Sequence, residues 1–184
     1  DMDRRFPRTI TLLLLALLAA PPAFATATIN VIASFSIIED LVKRVAGSDV
    51  RIVTIVPPGE DVHRWELTPP NVLALEEADI VFYNGYGLEP WLRHVQAMAD
   101  DTLTLTALAE NAAMSPLTIP MGQYKGNPDP HMWMDPKGAA AYLDVIAETL
   151  SEHYPHKADA FQQRAAEARE ALLALDQQVR ERSE

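Results

Sequence analysis

Short apolar runs alternate with amphipathic segments along residues 28–150, and this alternation constrains the fold more than any other feature of the sequence. Each run is rich in β-branched residues, which is typical of a buried strand. The runs lie at residues 28–34, 50–56, 79–85 and 102–108. Because strands separated by helices pair in parallel through right-handed crossovers, the sequence predicts an α/β fold with a parallel four-stranded sheet flanked by helices.

Capping signals set the expected helix boundaries. Ser36 and Glu39 have the spacing of a capping box, and Gly47 is a stop signal for the helix that they would open. Thr68 and Asp135 each precede proline, so each is expected to cap a further helix. Residues 109–135 form a long irregular segment, which in a compact domain is usually functional or mobile.

The chain is predicted to end in one long helix after Pro155, over residues 156–184 and roughly 40 Å in length. An apolar stripe runs along it at alternating spacings of four and three. The stripe consists of Phe161, Ala165, Ala168, Leu172, Leu175 and Val179. It is too short for a convincing coiled coil, so packing against the body of the protein is the better interpretation.

Residues 1–25 have the pattern of a secretory signal peptide, and the mature chain is expected to begin at Thr26. Arginines precede an apolar run, which ends at the small-x-small sequence Ala23–Ala25. A retained amino-terminal anchor is the alternative. No cysteine is present for disulfides or for lipid attachment, so the prediction is a periplasmic protein with no membrane insertion after cleavage.

The formal net charge of -11 argues against nucleic acid and anionic membranes as partners. A chain of this charge is repelled by polyanions, although it attracts cations weakly.

His63 and His131 are the strongest candidates for chemistry. Both lie in loops that proline stiffens, His63 after Pro57 and Pro58, and His131 beside Pro130. Loops that follow parallel strands meet at the carboxyl edge of the sheet, so the two imidazoles are expected together at that edge. Neutral imidazole is a common ligand of divalent metals. The alternative is that each histidine only hydrogen-bonds its own loop.

Other residues near these histidines, or of the same type, have structural interpretations. Glu60 and Asp61 fit a solvated turn better than a carboxylate pair behind a ligand. The tryptophans that follow the two histidines fit packing and loop anchors. The remaining histidines are interpreted as exposed or structural, and they are His94, His153 and His156.

Two segments resemble the motifs of a known family, the metal-binding receptors of ABC importers for manganese, zinc and iron (cluster A-I solute-binding proteins). The first is PPGEDVHRWELTPPNVLALEEADIVFYNGYGLEPWL, residues 57–92, and the second is NPDPHMWMDP, residues 127–136. The resemblance implies that His63 and His131 are the two metal ligands of an amino-terminal lobe, residues 26–155. It also implies that residues 156–184 are the helix that links two lobes.

The resemblance further implies a function: a periplasmic solute-binding protein captures a divalent metal as cargo and delivers it to an ABC permease in the inner membrane, without enzymatic activity. Family members continue into a carboxy-terminal lobe that supplies two more ligands. That lobe is absent from these residues, so weak metal binding and exposed apolar surface are expected.

The metal is predicted to be manganese, with zinc and iron as alternatives. Zinc members often carry a histidine-rich loop before the second ligand, whereas residues 110–130 contain no histidine. Two imidazoles suit zinc equally well. Two other functions stay open at this point: a secreted metallohydrolase with a two-histidine site, for which no HExxH or paired-carboxylate motif is present, and an interaction domain that binds no metal.

Overall fold

The structure, a computed structural model, describes residues 28–183. The predicted signal peptide at residues 1–25 therefore lies outside the described residues. Within residues 28–183, none of the helices is both long enough and apolar enough to cross a membrane.

The four predicted strands form one parallel sheet. They are β1 (Ile29–Phe35), β2 (Val50–Val56), β3 (Ile80–Tyr83) and β4 (Thr104–Ala107). Their order in the sheet is β2-β1-β3-β4, and every neighbouring pair is parallel. Strand β1 is central and is buried at every position except Asn30, as its apolar sequence requires.

The helices of the described residues are α1 (Ser36–Ala46), α2 (Pro69–Glu76), α3 (Leu92–Met98), α4 (Leu108–Asn111), α5 (Pro136–His153) and α6 (Ala158–Ser183). Two single 3-10 turns precede the last two helices, at Met132–Met134 and Pro155–Lys157. Helices α1, α5 and α6 pack against one another. Together with the sheet they enclose one apolar core.

The predicted cap of α1 is wrong, whereas the predicted signals at Gly47, Thr68 and Asp135 do mark helix ends. Ser36 is already the first helical residue, and the carboxylate of Glu39 pairs with Lys43 one turn later. Gly47 ends α1 with a positive φ of 63°, and its N–H donates to the carbonyl oxygen of Lys43. Asp135 caps α5, because its Oδ1 accepts the N–H of Lys137 at 2.9 Å.

The first turns of α6 are fixed to the end of α1 by one arginine. The Nε atom of Arg164 donates to the carbonyl oxygen of Val45 at 2.6 Å, and its Nη2 donates to that of Ala46 at 2.9 Å. The same Nη2 lies 3.0 Å from Oδ2 of Asp49, whose other oxygen accepts from Lys157 at 2.8 Å. These carbonyls belong to the last turn of α1, where no intrahelical donor remains for them.

The apolar stripe of α6 is buried only in its first half. Phe161 and Ala165 are buried, whereas Leu175 and Val179 are 55% and 57% exposed. The helix therefore rests on the body of the protein near its start, and its distal half carries apolar side chains at the surface.

Candidate metal centre

The two predicted ligands lie side by side at the carboxyl edge of the sheet. The Nε2 atoms of His63 and His131 are 3.2 Å apart, and their ring centroids are 5.3 Å apart. His63 lies on the loop after β2, and His131 lies on the long segment after β4. The expectation that topology brings these two imidazoles together is met.

Asp129 orients the ring of His131. Its Oδ1 lies 2.6 Å from Nδ1 of His131 and also accepts the backbone N–H of His131 at 3.0 Å. That backbone N–H, and then the imidazole, hold the pKa of Asp129 below its ordinary range. The ionised carboxylate therefore accepts the Nδ1 proton of His131, which leaves the lone pair of Nε2 free for a metal.

Aromatic packing supports the same ring from the side. The centroids of His131 and Trp133 are 5.2 Å apart, and those of Trp133 and Phe35 are 4.9 Å apart. Since Phe35 ends the central strand β1, this stack connects His131 to the sheet. The interpretation of Trp133 as a packing residue agrees with these contacts.

His63 is held by a turn rather than by a carboxylate on its ring. Oδ1 of Asp61 accepts the backbone N–H of His63 at 3.0 Å, which is an Asx turn. Glu60 is exposed, so the interpretation of this acidic pair as a turn agrees with the structure. Farther along the loop, Nε1 of Trp65 donates to Oδ1 of Asn71 at 3.3 Å and anchors the loop to α2.

The 3.2 Å contact has a chemical consequence for the metal-free site. At this distance one proton lies between the two Nε2 atoms, and which ring carries it depends on the tautomers. Two nitrogens about 2.1 Å from one ion, at an angle of about 100°, are themselves about 3.2 Å apart. The two nitrogens thus have the separation that one ion requires, and both must be free of a proton to bind it.

The other histidines do not join this site. Nε2 of His153 lies 2.8 Å from Oγ1 of Thr104, the first residue of β4, and therefore at the opposite edge of the sheet. His156 is exposed beyond the end of α5. His94 shares a groove of about 810 Å³ with His63 and is itself exposed on α3. Across residues 28–183, no group of three or more His, Cys, Asp and Glu side chains is placed to hold a metal ion.

Sequence reasoning missed two residues that shape this centre. Asp129 stands two positions before His131, a spacing at which an aspartate can bond both the backbone and the ring. Asn84 is buried at the end of β3, and its Nδ2 donates to the carbonyl oxygen of Pro130 at 2.8 Å. The first contact could have been found from spacing, whereas the second joins distant parts of the sequence.

The parallel sheet, the helices around it and the long last helix define the class: one lobe of a solute-binding protein, a fold shared by solved structures of periplasmic metal binding proteins. Residues 31–184 match the family described as "ZnuA: Zinc-uptake complex component A periplasmic". The chain belongs to this family.

Relatives with assigned names agree with the family. The iron-binding protein YfeA of Yersinia pestis is 31% identical over 161 residues, which are 88% of this chain and 51% of that protein. The manganese ABC transporter substrate-binding lipoprotein scaA of Streptococcus gordonii is 31% identical over 162 residues, with 86% and 52% covered. The chain thus spans about half the length of these relatives.

Solved structures show the same fold. The Mn-bound periplasmic metal binding protein from candidatus Liberibacter asiaticus aligns with a TM-score of 0.69 at 26% identity, over 77% of this chain and 52% of that one. Zn(II)-bound AdcA from Streptococcus pneumoniae aligns with a TM-score of 0.71 at 25% identity, over 82% and 32%.

Proposed function

We propose that this protein captures a divalent transition metal outside the cytoplasm, as the solute-binding component of an ABC importer, and passes it to a membrane permease. The metal is cargo. His63 and His131 are its ligands in this part of the chain. The proposal is supported by one observation above all: two imidazole nitrogens from distant loops stand 3.2 Å apart, the separation that one ion requires.

The orientation of His131 supports a ligand role over a purely structural one. A histidine that only stabilises its loop needs no free nitrogen facing another imidazole. Here Asp129 accepts a hydrogen bond from Nδ1–H and Nε2 faces His63. This is the carboxylate–histidine arrangement that accompanies metal ligands in proteins.

Manganese is the proposed cargo, with zinc or iron as the alternatives. The absence of histidine from residues 110–130 supports manganese. Named relatives and solved structures bind iron, manganese or zinc, and the family is described by zinc uptake. The separation of the two nitrogens suits each of these ions, so the remaining donors decide between them.

Two imidazoles fill only part of any coordination shell. Zinc normally takes at least three protein ligands, and manganese prefers about six donors with oxygens among them. In this proposal the donors beyond His63 and His131 are water or groups outside residues 28–183, since no third His, Cys, Asp or Glu side chain within these residues is placed to join the pair. We therefore expect these 184 residues by themselves to bind metal weakly, and to release it readily to a chelator.

In this proposal residues 26–155 are a metal-binding lobe, and residues 156–184 are a linking helix that begins in the structure at Ala158. Residues 1–25 act as a signal peptide that directs the chain to the periplasm. A permease of the inner membrane is the partner. We expect no catalysed reaction, because the family is described by zinc uptake and named relatives are substrate-binding proteins of ABC transporters.

Titration calorimetry with Zn²⁺ and Mn²⁺ tests the proposal on the full chain and on His63→Ala and His131→Ala. His94→Ala is the matched control, because it removes an exposed imidazole that lies outside the pair. Either ligand variant is expected to abolish measurable binding, and the control is expected to bind like the unaltered chain. Equal binding by all four proteins would refute the site. Hydrolysis of ester or phosphoester substrates by the zinc-loaded protein would instead support a metallohydrolase.

A further inference from the structure

A buried polar network lies beneath the segment that carries His131. Its centre is Asn84, which is fully buried at the end of β3. The Nδ2 atom of Asn84 donates to the carbonyl oxygen of Pro130 at 2.8 Å and to that of Gly85 at 3.2 Å. Since Pro130 immediately precedes His131, the first of these bonds fixes the backbone at the metal centre relative to the sheet.

A tyrosine supports the orientation of the Asn84 amide. The hydroxyl of Tyr142, a fully buried residue of α5, donates to Oδ1 of Asn84 at 2.6 Å. The carbonyl oxygens of Pro130 and Gly85 can only accept, so the NH₂ group of Asn84 faces them and its Oδ1 accepts from the Tyr142 hydroxyl. The bond from Tyr142 thus helps to hold Asn84 in the orientation that binds the carbonyl of Pro130.

A buried carboxylate holds the backbone of the same residue. Oε1 of Glu89 accepts the N–H of Asn84 at 2.7 Å and the hydroxyl of Ser34 at 2.9 Å, and its Oε2 accepts the N–H of Gly85 at 3.2 Å. Glu89 is only 4% exposed, and this burial raises its pKa. Burying an acidic group is costly, which argues that the backbone it holds has a function.

We propose that Asn84 is a positioning residue for the metal ligand His131, and that Glu89 and Tyr142 hold Asn84 in place for this task. The inference rests on the proposed function and extends it to groups that never touch the ion. Asn84 sets where the backbone of His131 lies, whereas Asp129 sets how its ring is turned. Both the backbone position and the ring orientation are needed for Nε2 of His131 to face His63.

The alternative is that the network only stabilises the fold, and the variants are chosen to separate the two roles. Asn84→Ala removes the bond to Pro130, and Tyr142→Phe removes only the hydroxyl that orients Asn84. Val42→Ala is the control, because Val42 is fully buried on α1, makes no polar side-chain contact and lies outside the network. It lowers stability by leaving a cavity without touching the metal centre.

Two measurements are made on each full-length variant in addition to urea unfolding. The first is the Kd for Zn²⁺ from calorimetric titration. The second is the imidazole nitrogen spectrum of His131 in the metal-free protein, which distinguishes a single Nδ1–H tautomer from a mixture. A purely structural role lowers the urea midpoint and moves neither of these values.

Asn84→Ala is expected to raise the Kd by about 10- to 100-fold, as is typical when groups behind a metal ligand are lost. It is also expected to replace the single tautomer of His131 with a mixture. Tyr142→Phe is expected to change both values in the same direction and by less. Val42→Ala is expected to lower the urea midpoint while its Kd and its spectrum stay as in the unaltered chain.

The proposal is wrong if Asn84→Ala keeps the Kd and the tautomer of the unaltered chain while losing stability as Val42→Ala does. If Asn84→Ala does not fold, the same readouts on Tyr142→Phe decide. If the unaltered chain binds no Zn²⁺, the proposed function fails by itself. In that case the metal-free spectra still decide whether Asn84 positions His131.

Discussion

Replacing Arg164 with alanine is expected to detach the start of α6 from α1 and to lower the free energy of unfolding substantially. The side chain is only 31% exposed, and it bonds the carbonyl oxygens of Val45 and Ala46 as well as Asp49. It also lies over the ring of Phe161, with Cζ 5.5 Å from the centroid.

The size of the effect follows from these contacts. A hydrogen bond from a charged donor contributes about 1.5–3 kcal/mol when buried and less when partly hydrated. Two such bonds, one of them to the carbonyl of Ala46 that also accepts the N–H of Asp49 at 3.3 Å, together with a partly exposed ion pair and a cation–π contact, amount to about 2–4 kcal/mol. Arg164→Lys should recover only part of this, since an ammonium group cannot reach both carbonyls with the planar fork of a guanidinium.

Arg169→Ala is a matched control on the same helix. Arg169 is 53% exposed and has only a 3.9 Å ion pair with Asp144, so its loss is expected to cost less than about 1 kcal/mol. Urea unfolding at neutral pH, followed by far-ultraviolet circular dichroism, measures both variants. If Arg164→Ala and Arg169→Ala were equally stable, the conclusion that Arg164 docks α6 would be refuted.

Three further predictions concern single residues. Asp49→Asn is expected to lower the free energy of unfolding by about 1 kcal/mol at pH 7. The hydrogen bond from Lys157 and then that from Arg164 lower the pKa of Asp49, so this contribution is present above the ordinary carboxyl pKa and disappears as the pH falls through the folded-state pKa. Urea unfolding at pH 7 and at pH 3 should therefore show a smaller difference in stability between the variant and the unaltered chain at pH 3. Asp129→Asn is expected to weaken Zn²⁺ binding by about 10- to 100-fold with Glu60→Gln as an unaffected control, and equal titrations would argue against orientation by Asp129. Gly138→Ala is expected to lower the free energy of unfolding in urea by about 1–3 kcal/mol, because the added Cβ would lie 2.0 Å from the carbonyl oxygen of Met132. An unchanged unfolding midpoint would show that the turn before α5 can move to accommodate the methyl group.

The sheet could be predicted because each strand is an apolar run bounded by turn signals, but the ends of β3 could not. The sequence predicts a strand through Gly85, whereas β3 ends at Tyr83. Beyond that point the N–H groups of Asn84 and Gly85 are taken by the carboxylate of Glu89 instead of a neighbouring strand. A buried acid that replaces ladder hydrogen bonds leaves no periodic signal in the sequence.

The failure at the start of α1 has a local cause. Ser36 and Glu39 have the spacing of a capping box, but Lys43 stands four residues after Glu39 and competes for its carboxylate. With that side chain engaged one turn along, Ser36 enters the helix and Phe35 takes the extended conformation that precedes it. The spacing in the sequence alone does not show whether the carboxylate of Glu39 caps the helix or pairs with Lys43.

The positions of the two histidines in the candidate site were predictable, but the residues that support them were not. Topology alone places His63 and His131 at one edge, because the loops after β2 and β4 both emerge there. The hydrogen bond from Asn84 to the carbonyl oxygen of Pro130 depends on how the segment between β4 and α5 folds back on the sheet. That segment is irregular, so neither helical nor strand periodicity reports its path.

The uneven burial of α6 implies that its two halves differ in their stability against local opening. Its first turns are sealed by Phe161, Ala165 and Arg164, so amide hydrogens there should exchange with solvent only when the whole domain opens. Beyond Leu175 the helix has exposed apolar side chains, and its amides should exchange through local fraying. The position along α6 at which amide protection falls therefore marks the end of its packing against the body of the protein. Any further contact of the helix would involve the residues beyond that position.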